Sequence, residues 1–311
     1  MDHLDDEFLS SLPKQKWCRD DLVYQFDGFW FRLPYLKGTL KFLNNFHPLP
    51  TDVMLASFPK TGTTWLKSLL FSITNRSSKH LLKSTNPHDL VPTLELQVYS
   101  SNLAPGEALT TCNGNARIFS THVPYQLLSK SDIHSSECRI VYVTRNPKDT
   151  LISLWHFVEK SQMSLIKPWT IEEAVDRFCD GVVPYGPYYD HVLRFQKESL
   201  ERPQKVFFVS YEELKNDTKN QVKKLAEFLG CPFNKEEEAE EIVKLCDIQT
   251  LKKHEVNKSS DLPNWFELPY NSFFRQGDVG DYKNSLNSQM IQRIDDMTKD
   301  KFHGAGFMFG I

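Results

Sequence analysis

The sequence predicts an α/β fold, a single domain over residues 1–311 whose central, mainly parallel sheet is flanked by helices. Two observations carry that expectation. Short apolar runs of strand length alternate with segments of helical period, the pattern of a parallel sheet covered on both faces. The chain also shows no internal repeat, no low-complexity tract and no Gly/Ser linker that would divide it.

The first strand is expected in residues 52–59 (DVMLASFP), an apolar run of the kind a buried parallel strand shows. KTGTTWLKSLLFSITN follows at once, with Trp65, Leu66, Leu69, Leu70 and Ile73 at helical spacing. A second strand is predicted at 116–120, just before Thr121-His122, and a third at 139–144, ending in Arg145-Asn146-Pro147. The spacing predicts a helix over 148–160, with Asn146 as cap and Pro147 in the first turn. A fourth strand at 205–211 leads into a helix over 212–229 that stops at Gly230 and Pro232. Ligands in such folds sit at the carboxyl ends of the strands. Those ends carry Lys60, His122, Arg145 and Tyr211, which mix anion binders with a candidate base. Residues 257–282 form a long stretch rich in Pro, Asn and Asp; irregular loops beyond about 15 residues are usually functional or disordered.

Composition excludes several classes. With 37 Lys and Arg against 40 Asp and Glu, the formal charge is −3, which argues against nucleic acid as a partner, since a duplex binder needs a basic excess. Hydrophobic residues at 40% and charged residues at 25% can build a core and do not fit disorder. No stretch reaches the roughly 18 apolar residues of a membrane span, and the acidic N-terminus lacks the features of a secretory leader or transit peptide. Six scattered cysteines, with no C-x-x-C pair and no histidine cluster at zinc spacing, read as reduced thiols in a cytoplasmic protein without a metal site.

In SFPKTGTTW, Gly62 permits a tight turn, so that the amides of Thr61, Gly62, Thr63 and Thr64 can point outward at a helix N-terminus beside Lys60. Such a nest favours an anion. The loop is similar to a Walker A loop but has its lysine before the glycine, so a hydroxyl on Mg²⁺ is not implied. An ordinary strand-to-helix turn would need the same residues.

PKTGTTW, STHVP, YVTRNPKDTLISLWHF, FVSYEEL and FFRQGDVGDYKN occur in this order, together with NPHDLVPTLE and YGPYYDHVL. On these motifs the chain resembles, end to end, the cytosolic PAPS-dependent sulfotransferases and is most similar to their plant group. The resemblance implies transfer of a sulfuryl group from 3′-phosphoadenosine 5′-phosphosulfate (PAPS) to the hydroxyl of a small acceptor in one in-line step, without a metal, leaving 3′-phosphoadenosine 5′-phosphate (PAP). It implies that Lys60, Thr61, Gly62, Thr63 and Thr64 cradle the 5′-phosphosulfate in a P-loop-like turn, and that Trp65 lies against the adenine. Arg145 and Ser153 would hold the 3′-phosphate with Arg275, Gln276 and Gly277; Tyr211, Cys246 and Ile248 would seat the base. His122 would be the catalytic base, with Lys60 stabilising charge on the leaving oxygen. An imidazole, with an unperturbed pKa near 6.5, suits that task at neutral pH. Residues 1–45 would contribute to the acceptor pocket and 257–285 would close over the nucleotide. The acceptor would lie among Phe26, Phe29, Trp30, Tyr99, His122, Phe157, Tyr185 and Tyr188.

The chain departs from the family pattern at Gln276, where a lysine is usual, and at Asp247-Ile248, where plant relatives tend to carry Ser-Phe. Both predict weaker donor binding. The animal dimer motif is replaced by Lys283, Asn287, Ser288 and Gln292, so a monomer is expected. Phenols and flavonoids are the first acceptor choice, because a phenol ionises readily against a histidine base; steroids, hydroxyjasmonates and desulfo-glucosinolates are also permitted. Two other readings compete: a silent nucleotide-binding relative, and a P-loop small-molecule kinase, which would need a lysine after the glycine and magnesium dependence.

Overall fold

The structure, a computed structural model, describes residues 6–100, 117–160 and 168–311. Strands β1 (Lys14–Cys18), β2 (Asp21–Phe26) and β3 (Phe29–Arg32) form a small antiparallel sheet, followed by helix α1 (Leu33–Asn45). The sequence reading assigned no element here, because these short strands mix buried and exposed positions without a strict alternation.

The central sheet contains β4 (Val53–Ser57), β5 (Ile118–Thr121), β6 (Arg139–Thr144) and β7 (Val206–Ser210), all parallel in the order β5-β4-β6-β7. Ala116, where the second strand was expected to open, lies outside the described residues. Helix α2 (Thr63–Thr74) follows β4, α3 (Pro147–Glu159) follows β6, and α4 (Tyr188–Glu201) precedes β7. Asn146 caps α3 by accepting from the Lys148 amide at 3.0 Å, with Pro147 at the first position, as the sequence predicts.

The helix expected over 212–229 is two helices, α5 (Tyr211–Asn216) and α6 (Thr218–Phe228). Asp217 separates them: its non-helical backbone (φ −144, ψ 64) ends the first, and its carboxylate caps the second by accepting from the Asn220 amide. Ser210 starts α5 with a capping box to Glu213, which turns the chain sharply as it leaves β7.

Successive strand residues face opposite sides, and the structure buries both. Met54, Ala56, Ile140, Tyr142 and Val206 join a core that also holds the small sheet, α1, α3 and α4. Val53, Leu55, Val141, Val143 and Val209 join a second core with α2 and α6. β4 lies between β5 and β6, so the chain leaves it in one direction to reach one neighbour and in the other direction to reach the second. The crevice outside its carboxyl end is therefore the expected ligand position.

One close approach ties the N-terminal part to that crevice. A Cβ added at Gly38 of α1 would lie 1.9 Å from the Glu95 carbonyl oxygen, so only glycine fits against the 94–98 turn. Gly38→Ala is expected to cost about 1–3 kcal/mol, the usual range for overpacking, read as a lower urea midpoint; an unchanged midpoint would show that the contact relaxes freely.

Candidate active site

The strand ends and the late loop enclose one cavity lined by Lys60, Gly62, Thr63, Thr64, Trp65, Arg145, Ser153, Tyr211, Ile248, Arg275 and Gly277, with His122 on the same wall. Its floor is the turn after β4. Gly62 has φ 117, and a Cβ there would meet the Tyr211 ring at 2.8 Å, so the turn needs both the conformation and the absent side chain. The first intrahelical bond of α2 runs from the Leu66 amide to the Gly62 carbonyl at 3.1 Å. The amides of Thr63, Thr64 and Trp65 therefore lack an acceptor within the helix, and no side chain caps them.

Thr61 belongs to the scaffold instead. Its amide bonds back to the Phe58 carbonyl, and its buried hydroxyl lies 2.8 Å from the Phe58 carbonyl and 2.9 Å from the Val143 carbonyl, its one hydrogen shared between them, which ties the turn to β6. Cys246 is also away from the cavity, buried against the Ser72 hydroxyl.

Cations gather above this floor. Lys60 has φ 73 and holds its ammonium 3.7 Å from the centre of the Phe157 ring. Burial, with Arg275, Lys160 and Arg145 nearby, lowers its pKa to about 7. Arg145 lies over the Tyr211 ring, donates to the Asp278 carbonyl at 2.7 Å and sits 3.7 Å from Asp149. Arg275 pairs with Asp281. Among the described residues, the Nε of Arg145, the Nε of Arg275 and the indole N–H of Trp65 are buried without a hydrogen-bond partner. Orphaned donors beside two guanidinium groups and an uncapped helix start fit a polyanion with an aromatic base.

The late loop is pinned over the cavity. Asp149, fully buried in α3, accepts from the amides of Gly280 at 2.7 Å and Tyr282 at 3.0 Å, and the Tyr211 hydroxyl donates to the Gly277 carbonyl at 2.7 Å. Gln276 is exposed and does not line the cavity. Asp247, expected to bring negative charge to the ligand, caps the helix Ile248–Lys253, accepting from the amides of Gln249 and Thr250. Of the departures from the family pattern, only Ile248 reaches the cavity.

His122 is fixed from three sides. Its amide donates to Glu95 Oε1 at 2.7 Å, its carbonyl lies 3.0 Å from His191 Nε2, and its Nδ1 lies 2.8 Å from the Ser57 carbonyl. A carbonyl only accepts, so Nδ1 carries the hydrogen and the neutral ring keeps its lone pair on Nε2. Burial lowers its pKa to about 3, below the 6.5 that the sequence reading relied on for a base, so this imidazole is a weaker base than expected; burial also lowers His191 to about 4 and holds His88 well below the usual range. The sequence reading missed Glu95 and His191, although both stand in the motifs NPHDLVPTLE and YGPYYDHVL. A buried carboxylate 27 positions from the backbone amide it binds leaves no periodic signal.

The other half of the cavity is apolar and aromatic. Of the residues named for an acceptor, Phe157 and Tyr185 line it, joined by Trp17, Tyr35, Trp265 and Phe273. Phe26, Phe29, Trp30, Tyr99 and Tyr188 do not. Phe29, Trp30 and Tyr99 are core residues, Phe26 packs against that core, and the Tyr188 hydroxyl is spent on Thr144 and the Arg145 carbonyl. The 1–45 segment reaches the cavity through Trp17, Arg32 and Tyr35, and Arg32 lies 2.7 Å from Asp21.

Residues 50–306 match the sulfotransferase domain model. The chain belongs to the sulfotransferase family. It is 42% identical to Arabidopsis thaliana cytosolic sulfotransferase 5, over 97% of this chain and 95% of that one, and 42% identical to cytosolic sulfotransferase 12 of the same plant, over 97% and 92%. In structure it is similar to a provisionally named steroid sulphotransferase of Arabidopsis thaliana, with 35% identity and a TM-score of 0.73 over 99% of this chain and 98% of that one. A mouse sulfotransferase complexed with PAP shares the fold at 24% identity, with a TM-score of 0.70 over 91% and 95%. The protein is a sulfotransferase, similar over nearly its whole length to plant cytosolic enzymes.

In this sulfotransferase without ligands, the imidazole resonances of His88, His122 and His191 are expected to keep their neutral positions from pH 8 to pH 5, since lowered pKa values leave the rings uncharged above them. Nitrogen shifts should report an Nδ1–H tautomer for His122. A midpoint near ~6.5 for that ring would contradict the geometry.

Proposed function

We propose that the enzyme moves the sulfuryl group of PAPS in one in-line step to the hydroxyl of a ring-bearing acceptor, phenolic or flavonoid by first choice, with His122 as the base. The observation that carries this reading is the bond from His122 Nδ1 to the Ser57 carbonyl, which leaves Nε2 as a proton acceptor on the cavity wall. As the acceptor oxygen forms its bond to sulfur, the hydroxyl proton passes to Nε2. The bond from sulfur to the 5′-phosphate oxygen breaks, and its electron pair stays on that oxygen. Lys60 would stabilise this charge, an electrostatic contribution of the kind that often dominates such reactions.

The donor reading has its own support. Lys60, Arg145 and Arg275 converge with the uncapped start of α2, while Trp65, Tyr211 and Ile248 offer apolar surface for a purine. Ser153 lies on α3, two turns beyond Arg145, where a second phosphate would be met from both sides. The aromatic wall of Tyr35, Phe157, Tyr185, Trp265 and Phe273 suits a flat acceptor. A steroid is the second reading, favoured by the Arabidopsis structural neighbour and by the apolar lining.

Incubation with sulfur-labelled PAPS and no added metal, against phenols, flavonoids, steroids, hydroxyjasmonates and desulfo-glucosinolates, tests the acceptor directly. Label on phenolic acceptors is expected, and transfer to steroids alone would favour the second reading. His122→Ala should lower turnover by about 10²–10⁴-fold, the usual share of a general base, with PAP affinity kept. A near-normal rate would remove His122 from the mechanism.

A further inference from the structure

Beneath the phosphate turn lies a polar chain with no assigned role. Lys67 lies on α2 one turn beyond Thr64, with no exposed surface. Its Nζ is 3.1 Å from His88 Nδ1 and 3.0 Å from Thr93 Oγ1. His88 Nε2 in turn is 2.9 Å from Thr64 Oγ1. His88, Thr93 and Thr64 all line the cavity.

Hydrogen-bond bookkeeping gives this chain a direction. An ammonium only donates, so His88 Nδ1 accepts, the imidazole hydrogen sits on Nε2, and Thr64 Oγ1 accepts from it. Burial lowers the Lys67 pKa to about 7, yet a neutral amine still has two hydrogens for the same two acceptors. Thr64 then has its own hydroxyl hydrogen left to give. Helical hydroxyls often give it to a carbonyl in the preceding turn, as Ser68 does to Thr64 and Thr74 to Leu70. The His88 ring is held for its part by Phe273, with centroids 4.0 Å apart, and by Trp265 on the late loop. The Asn86 side chain accepts from the His88 amide at 2.9 Å.

We infer that Lys67 and His88 are positioning residues for the sulfuryl donor: their hydrogen bonds make the Thr64 hydroxyl a fixed donor into the phosphate nest. An anion of acceptor oxygens meets a hydrogen already aimed at it, with no competing local bond to break. The inference rests on the reading of the turn after β4 as the donor site.

Calorimetry with PAP and steady-state kinetics test it. Thr64→Val and Lys67→Met should each weaken PAP binding about tenfold, the scale of one hydrogen bond to a charged group. With saturating donor, kcat in Lys67→Met should stay within about threefold, so the loss falls on KM. The double variant should be no weaker than Thr64→Val alone, because both changes remove one bond. His88→Gln, whose amide can still donate to Thr64, should bind PAP better than His88→Asn; this pair carries the test if Lys67→Met does not fold. Weak binding in Thr64→Val with normal binding in Lys67→Met and His88→Asn, or additive losses in the double variant, would overturn the relay. If Thr64→Val and Lys60→Met both bind PAP normally, the donor-site reading falls with it.

Discussion

Three basic side chains crowd one cavity and oppose one another's charge, and much of the surrounding structure holds them there. Lys60 rests on the Phe157 ring and Arg145 on the Tyr211 ring, so aromatic faces supply part of the missing negative charge. Asp149 and Asp281 provide partial neutralisation, but Asp149 spends both carboxylate oxygens on backbone amides of the late loop. The site is left short of negative charge. That deficit is what a bound polyanion removes, and it explains why guanidinium nitrogens and an indole N–H are buried without partners among the described residues.

A second set of contacts fixes the histidine beside this charge. Glu95, Ser57 and His191 hold the His122 amide, ring and carbonyl, and each comes from a different element. Burial raises the Glu95 pKa and lowers those of the three histidines. All four shifts favour neutral groups, as expected where polar side chains lie in a low-dielectric interior and only direct bonds compensate for lost water.

The central sheet was readable because parallel strands buried on both faces carry continuous apolar runs, and β6 runs over 139–144 as the sequence predicted. The motif residues at the strand ends were readable for the same reason: one loop follows one strand. The break at Asp217 was hidden because the residues on either side keep helical character. The apolar wall of the cavity was read least well. Phe29, Trp30 and Tyr188 have the residue types of a pocket, but aromatic residues serve the core equally, and only tertiary packing decides between the two. Asp247 shows the same limit for charge: in sequence it lies beside the base-binding region, while in the fold it is spent on capping a helix.

The two halves of the cavity draw on different parts of the chain. The donor side is built from turns rooted in the central sheet, where a substitution disturbs the core or a neighbouring strand. The apolar side is lined by Trp17, Tyr35, Trp265 and Phe273, which come from the small N-terminal sheet, helix α1 and the late loop. Those segments reach the cavity without being part of the four parallel strands. Substitutions in these peripheral segments would therefore reshape the apolar wall while leaving the four strands and the turn after β4 in place.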